Sequence, residues 1–295
     1  MKNLIYFLIL APYFLQGQEN CQGSFTEYYL NSNNIRASFF PRGNRFTDGS
    51  NGAFHAPYPA AGKLSTIFSS SPWLAGYDYF GKFRIAEETY PNQVEYNFNV
   101  GPLTYIGLPY PDCANYDRAW NVFFEDISLH MQDYNLDFKI DDTIPAIFGW
   151  PGRGNKYFAR FNGFELPLDE QGLADFFDAN GNNIYDPDAG DYPALNLSQN
   201  FIVPDQMMWM VFNDVDTSNQ KTGKLPVRAE FQLTAYAFHC QDKPWLNNTI
   251  FTKYKIINRS VLPLDSMFFG LWTDYDLGCS EDDFMGSDST RHTEF

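Results

Sequence analysis

The sequence predicts a mainly β fold, an antiparallel β-sandwich with long loops and one or two short helices. Four runs in the last third, "QMMWMVFND", "VRAEFQLTAYAFHC", "NTIFTKYKIINRS" and "LDSMFFGLWTDYDLG", set β-branched and aromatic residues in alternation with polar ones. Short turns separate the later runs, as in hairpin-linked sheets. One stretch is the best helix candidate by its periodicity, and no internal repeat of the solenoid or propeller kind is visible.

The chain opens with Lys2, an apolar run over 4–15 and Gly17 ahead of a polar segment, the pattern of a cleavable signal peptide over 1–17. That run is shorter than the roughly 20 apolar residues of a spanning helix. The mature chain is therefore expected to be secreted or on the outer cell surface, with no membrane insertion after cleavage. Residues 18–150 read as a loop-rich β part: a strand, turn and strand over 33–46, a Gly/Pro/Asn-rich loop, and a hairpin over 71–90 turning at Phe80, Gly81 and Lys82. Trp120, Phe123, Phe124, Ile127 and Met131 recur at the spacing of one helical face and predict a helix over 116–134. Pro151, Gly152 and Gly154 break any regular element and set a boundary before a sandwich-like part over 151–295, although both parts can share one core.

Cys21, Cys113, Cys240 and Cys279 lie far apart with no Cys-x-x-Cys pair. In an exported chain this predicts up to two disulfides in one of three connectivities. Cys240 with Cys279 is the favoured pair, because they end neighbouring strands. A formal charge of −16 argues against nucleic acid and anionic lipid as partners and makes cations the natural counter-charge. The four histidines are scattered, with no His-Glu-x-x-His, and neither Gly-x-Ser-x-Gly nor a phosphate-cradling glycine loop is present. A non-catalytic role is expected, although a glycosidase needs only two carboxylates correctly separated in space.

The stretch "DFFDANGNNIYDPDAGDYP" (175–193) carries the clearest site signal. Calcium takes six to eight oxygen ligands, and a loop that alternates ligand and spacer can supply them. With Asp178 at position one, Asn180 and Asn182 fall at three and five, the Ile184 carbonyl at seven and Asp186 at nine. Position twelve is Ala189 rather than a bidentate Glu, so Asp188 or Asp191 must close the shell, and position six is Asn183 where glycine is usual. Two Asn in place of Asp lower the ligand charge, so weak calcium affinity is expected. The competing reading is a capped turn, because Asp and Asn bond readily to nearby backbone.

A second, weaker acidic group holds Asp274, Asp276, Asp282 and Asp283, with Glu281 and Asp288 nearby. Alternate Asp274 and Asp276 share one side of a strand end, where two carboxylates can hold a cation. Trp73, Tyr77 and Tyr79 also alternate, which makes them either a sugar-stacking platform or a buried sheet face.

The motifs "LNSNNIRASF", "WLAGYDYFGKFRIAEETY", "FDANGNNIYDPDAGDYP", "MVFND", "NNTIFTKYKIINRS" and "FGLWTDYDLGCSEDDFMGSDSTR" follow one another in an order that resembles large exported proteins of the Bacteroidota. The resemblance runs through most of the mature chain, and its last three motifs are the most specific. It implies β-rich cell-surface or released proteins that often end in a type IX secretion sorting domain, with no settled enzymatic activity. Their loop commonly reads Asp-x-Asn-Gly-Asp-Gly, from which Asn182 and Asn183 depart. Relatives continue past "STRHTEF", so the resemblance also implies an amino-terminal fragment. The bacterial likeness makes the sequons at Asn196, Asn247 and Asn258 silent. The expected function is a secreted or surface structural or interaction module with a weak calcium loop and an extracellular protein or glycan partner. The alternative is a carbohydrate-binding or carbohydrate-active module.

Overall fold

The computed structural model describes residues 21, 23–24, 26–59, 64–90, 96–167, 172–198, 200–215, 225–277 and 283–294. The signal-peptide segment 1–17 lies outside them, as do Cys279, Glu281 and Asp282. Strands and helices are numbered in chain order.

The architecture follows from one strand. In β12 (Gln206–Asn213) every residue is buried. Successive side chains of a strand point to opposite faces, and here both faces are apolar. Met208, Met210 and Phe212 enter one core, while Met207, Trp209 and Val211 enter another. Such a strand needs a cover on each side.

β12 is flanked by β13 (Ala229–Ala237) and then β14 (Ile250–Asn258), and on its other edge by β6 (Asn99–Val100) and β7 (Trp120–Phe123), all antiparallel. The first cover is made of strands. It contains β1 (Tyr28–Leu30), β2 (Arg36–Phe39) and β3 (Phe54–His55), and a second sheet in the order β15 (Leu264–Tyr275), β4 (Ile67–Asp78), β5 (Phe83–Ala86). Leu30, Ala37, Phe39, Leu74 and Ala86 meet Phe212, Phe231 and Leu233 in that core. Phe212 and Phe231 stack with ring centroids 5.2 Å apart.

The second cover is mostly helical, formed by α1 (Phe124–Asp137), α2 (Pro145–Phe148) and α3 (Phe158–Asn162). Trp150 and Phe158 are buried there with Trp120 and Trp209, the last two 5.6 Å apart. Small ladders complete the chain: β8 (Phe176–Phe177) with β9 (Tyr192–Pro193), β10 (Leu195–Leu197) with β11 (Asn200–Ile202), and β16 (Ser287–Asp288) with β17 (Thr293–Glu294). Strands from both sides of residue 150 share the central sheet and its cores.

The fold is therefore a mixed one, with several antiparallel sheets and three helices among the described residues, and the expected sandwich with one or two short helices is too simple. The helical signal was misplaced as well as undercounted. Trp120 and Val122 sit in β7, where Trp120 pairs with Trp209; long-range pairing prevails over local periodicity here. α1 begins at Phe124, has Glu125 and Asp126 in its first turn, and ends at Phe138 in the left-handed region. Phe123 and Phe124, placed by periodicity on the inner face, are exposed, and Ile127 and His130 are the buried positions of α1. No helix among the described residues is long and apolar enough to cross a membrane.

Cys21 and Cys113 form a disulfide that joins the segment before β1 to the 3-10 turn Cys113–Tyr116, 92 residues on. The Val100 N–H donates to the Cys21 carbonyl at 3.0 Å, so the link continues a backbone contact. Cys240 is half-buried and bonded to no described cysteine; its expected partner Cys279 lies outside the described residues. Replacing Cys21 and Cys113 with serine is expected to cost about 3 kcal/mol, because the bridge restricts a long loop of the unfolded chain. Urea unfolding of the two proteins measures it.

Candidate functional site

The β8–β9 ladder, Phe176 opposite Pro193 and Phe177 opposite Tyr192, ties together the ends of the loop 178–191. Phe177 and Tyr192 stack at 4.8 Å. Tyr185 plugs the loop into the helical cover. It is fully buried, its hydroxyl donates to the Ile147 carbonyl at 2.9 Å, and its N–H donates to the Arg153 carbonyl at 2.7 Å. A Cβ on Gly152 would lie 2.5 Å from the Tyr185 ring, so glycine is what lets the plug seat.

Within the loop the side-chain oxygens take backbone N–H groups in a regular register. Asp178 Oδ1 accepts from Gly181 at 2.7 Å and Asn182 at 3.2 Å, and its Oδ2 accepts from Asn183 at 2.7 Å. Asn180 Oδ1 accepts from Asn182 at 3.0 Å, and Asn182 Oδ1 accepts from Ile184 at 2.6 Å. Counted from Asp178, these links run from one to four, five and six, from three to five, and from five to seven. Asn183 at position six has φ +61°, the left-handed conformation that glycine would adopt at least cost and that Asn tolerates. Asn182 Nδ2 donates to Asp186 Oδ2 at 2.7 Å, which closes position five on position nine.

The two proposed closing residues have other partners. Asp191 is fully buried at the neck, where Oδ1 accepts from the Ala179 N–H and Oδ2 from the Asp186 N–H, each at 2.8 Å. It clamps one limb of the loop to the other. Burial pushes its carboxyl up to about 6; the two backbone donors oppose that shift and Asp178 and Asp186 add to it. Asp188 turns towards α3, and its Oδ2 accepts from Lys156 Nζ and the Tyr157 hydroxyl, both at 2.9 Å. Behind the neck, the His130 ring meets the Asp191 carbonyl at 2.9 Å through Nε2, and burial first of all lowers the affinity of His130 for a second proton. Among the described residues no three His, Cys, Asp or Glu side chains converge as a metal cluster. A cation in this loop would have to draw on amide and carbonyl oxygens as well as carboxylates.

The chain matches no family model, no curated protein and no solved structure.

The second acidic group is dispersed. Asp274 Oδ2 accepts from the Tyr90 hydroxyl at 2.8 Å, and Asp283 Oδ2 accepts from the Leu277 N–H at 3.1 Å. A register shift between Asp274 and Tyr275 interrupts the alternation on which a shared face depends, and Asp276 lies beyond β15. Asp282 lies outside the described residues. The aromatic trio does not make one platform either. Trp73 is half-buried with Nε1 donating to the Glu88 carbonyl at 2.7 Å, Tyr77 packs on Phe83 at 5.7 Å, and Tyr79 stands past the end of β4.

Sequence reasoning missed the polar face next to the loop. Gln232 and Thr234 of β13 lie opposite Lys255 and Lys253 of β14. Alternation in "EFQLT" and "TKYK" marks these residues as one face, but not what stands across from it.

Proposed function

We propose that the chain is a structural or interaction module of a secreted or cell-surface protein, and that the loop 178–191 takes one weakly held calcium ion. Asp178, Asn180, Asn182, the Ile184 carbonyl and Asp186 supply the ligands, with water completing a shell of six to eight oxygens. The observation that carries the ion is the register of links from Asp178, Asn180 and Asn182 to the amides two to five residues on. Asp178 Oδ2, Asn180 Oδ1 and Asn182 Oδ1 each accept one of these bonds and keep a lone pair, and the turn gathers them in a short span of chain. Asp191 supports the neck rather than the ion. The Cys21–Cys113 bridge favours an oxidising compartment outside the cytoplasm.

The ion fixes the outer limb of the loop and offsets the repulsion among Asp178, Asp186 and Asp191. Thermal unfolding in EDTA and in millimolar calcium tests this. At a free calcium level of ten times Kd, linkage gives about 1.4 kcal/mol, a rise in midpoint of about 2–4 °C. Asp178→Ala is expected to abolish the rise. An equal midpoint with and without calcium in the parent chain contradicts the reading and leaves a capped turn.

A further inference from the structure

Beside the loop, between the outer polar face of β13 and β14 and the segment 172–176, lies a cleft of about 340 Å³. Arg153, Asn196, Phe201 and Lys255 line it, and Asp178 and Asn183 of the loop 178–191 form part of its rim. A recess of about 10 Å³ adjoins it, sharing Leu173, Asp175 and Lys255 with the cleft and adding Gln232 and Thr234. That is room for one water molecule or one hydroxyl group. The geometry points to this cleft as a binding site for an acidic saccharide, a short run of uronic acid residues, with its carboxylate on Arg153 and a hydroxyl in the recess over Gln232.

Gln232 is 2% exposed. Its Nε2 donates to Glu230 Oε1 at 2.8 Å and to the Gly172 carbonyl at 3.2 Å, and two acceptors on that side fix which end of the amide is which. Its Oε1 is buried with no hydrogen-bond partner among the described residues. A buried acceptor left unmade is costly, so a donor of hydroxyl size belongs in the recess.

Arg153 is exposed and forms no ion pair or side-chain hydrogen bond with a described residue, in a chain with sixteen more acidic than basic groups. Its planar fork matches a carboxylate. Phe201 is 39% exposed and gives a flat apolar face of the kind sugar rings cover. The wall is held in place beforehand: Lys253 donates to the Asp175 carboxylate and, at 2.8 Å, to the Asn196 carbonyl. A carboxylate beside a hydroxyl on a ring is the repeating chemistry of a uronic acid.

Calorimetric titration with a trisaccharide of galacturonic acid, and with the neutral galactose trisaccharide, both in EDTA, tests the assignment with no calcium on the adjoining loop. The acidic sugar is expected to bind at least about tenfold more tightly than the neutral one. Arg153→Ala, at an exposed position that leaves the cores intact, is expected to weaken the acidic sugar by at least about tenfold, the worth of one hydrogen bond to a charged group. Absence of binding, equal affinity for both sugars, or unchanged affinity in Arg153→Ala overturns the assignment. Binding that requires calcium also overturns it, and would move the sugar to the loop ion instead.

Discussion

Asp214→Ala is expected to destabilise the protein by about 4 kcal/mol, measured by urea unfolding at neutral pH. Asp214 follows β12 and is 1% exposed. Its carboxylate gathers three backbone donors at the start of β13: Val227 at 2.6 Å, Arg228 at 3.2 Å and Ala229 at 2.7 Å. Arg228 sits at φ +63°, a conformation an arginine holds only when its surroundings impose it. Alanine leaves those donors without an acceptor, and each buried unmade donor costs about 1–3 kcal/mol. The variant also carries a pH signature. Burial raises the Asp214 carboxyl to about 6, with the three donors opposing the shift. The folded state therefore binds the proton more tightly than the unfolded state. The proton-linked part of the Asp214 contribution is fully present below its unfolded value near 3.8 and is lost as pH rises through 6, while the three backbone bonds to the carboxylate persist at neutral pH. The gap between parent and variant should widen as pH falls from 7 towards 4. A gap that narrows over that range contradicts the assignment.

The second large effect lies at the buried pair Glu230 and Arg259, 0% and 5% exposed. Glu230 Oε2 accepts from Arg259 Nε and Nη2, each at 3.0 Å, and from the Leu103 N–H at 2.9 Å, while Oε1 accepts from Gln232. Arg259→Met removes the cation and leaves a buried carboxylate, which costs about 3–5 kcal/mol. Adding Glu230→Gln to that variant removes the stranded charge while an acceptor for Leu103 remains, and should recover at least half of the loss. Strictly additive losses in the double-mutant cycle would show that the two side chains do not act as a pair.

The sequence made the strands legible and concealed their layering. The four runs of the last third appear as β12, β13, β14 and β15, and the hairpin over 71–90 as β4 and β5. The misjudgement was of what covers them. In "QMMWMVFN" both alternating faces are apolar, the mark of a strand with cover on each side, and the second cover is α1 to α3 rather than another sheet. The helical face starting at Trp120 was misread because β7 pairs with β12 at long range, which no local period records.

The candidate loop was legible at its front, where Asp178, Asn180 and Asn182 follow the expected alternation and Tyr185 supplies the buried plug. Its back was not, since Asp188 finds Lys156 and Tyr157 across 31 or more residues, and Asp191 finds its own neck. Composition cannot tell a carboxylate that ligates an ion from one that ligates backbone.

The most direct test of the proposed calcium site is amide hydrogen exchange across residues 178–191 in EDTA and in millimolar calcium. Slower exchange with calcium is expected at Gly181, Asn182, Asn183 and Ile184, whose N–H groups donate to the ligand-bearing side chains, and no change at the buried amides of β12. Identical exchange at those four amides in both solutions would contradict it.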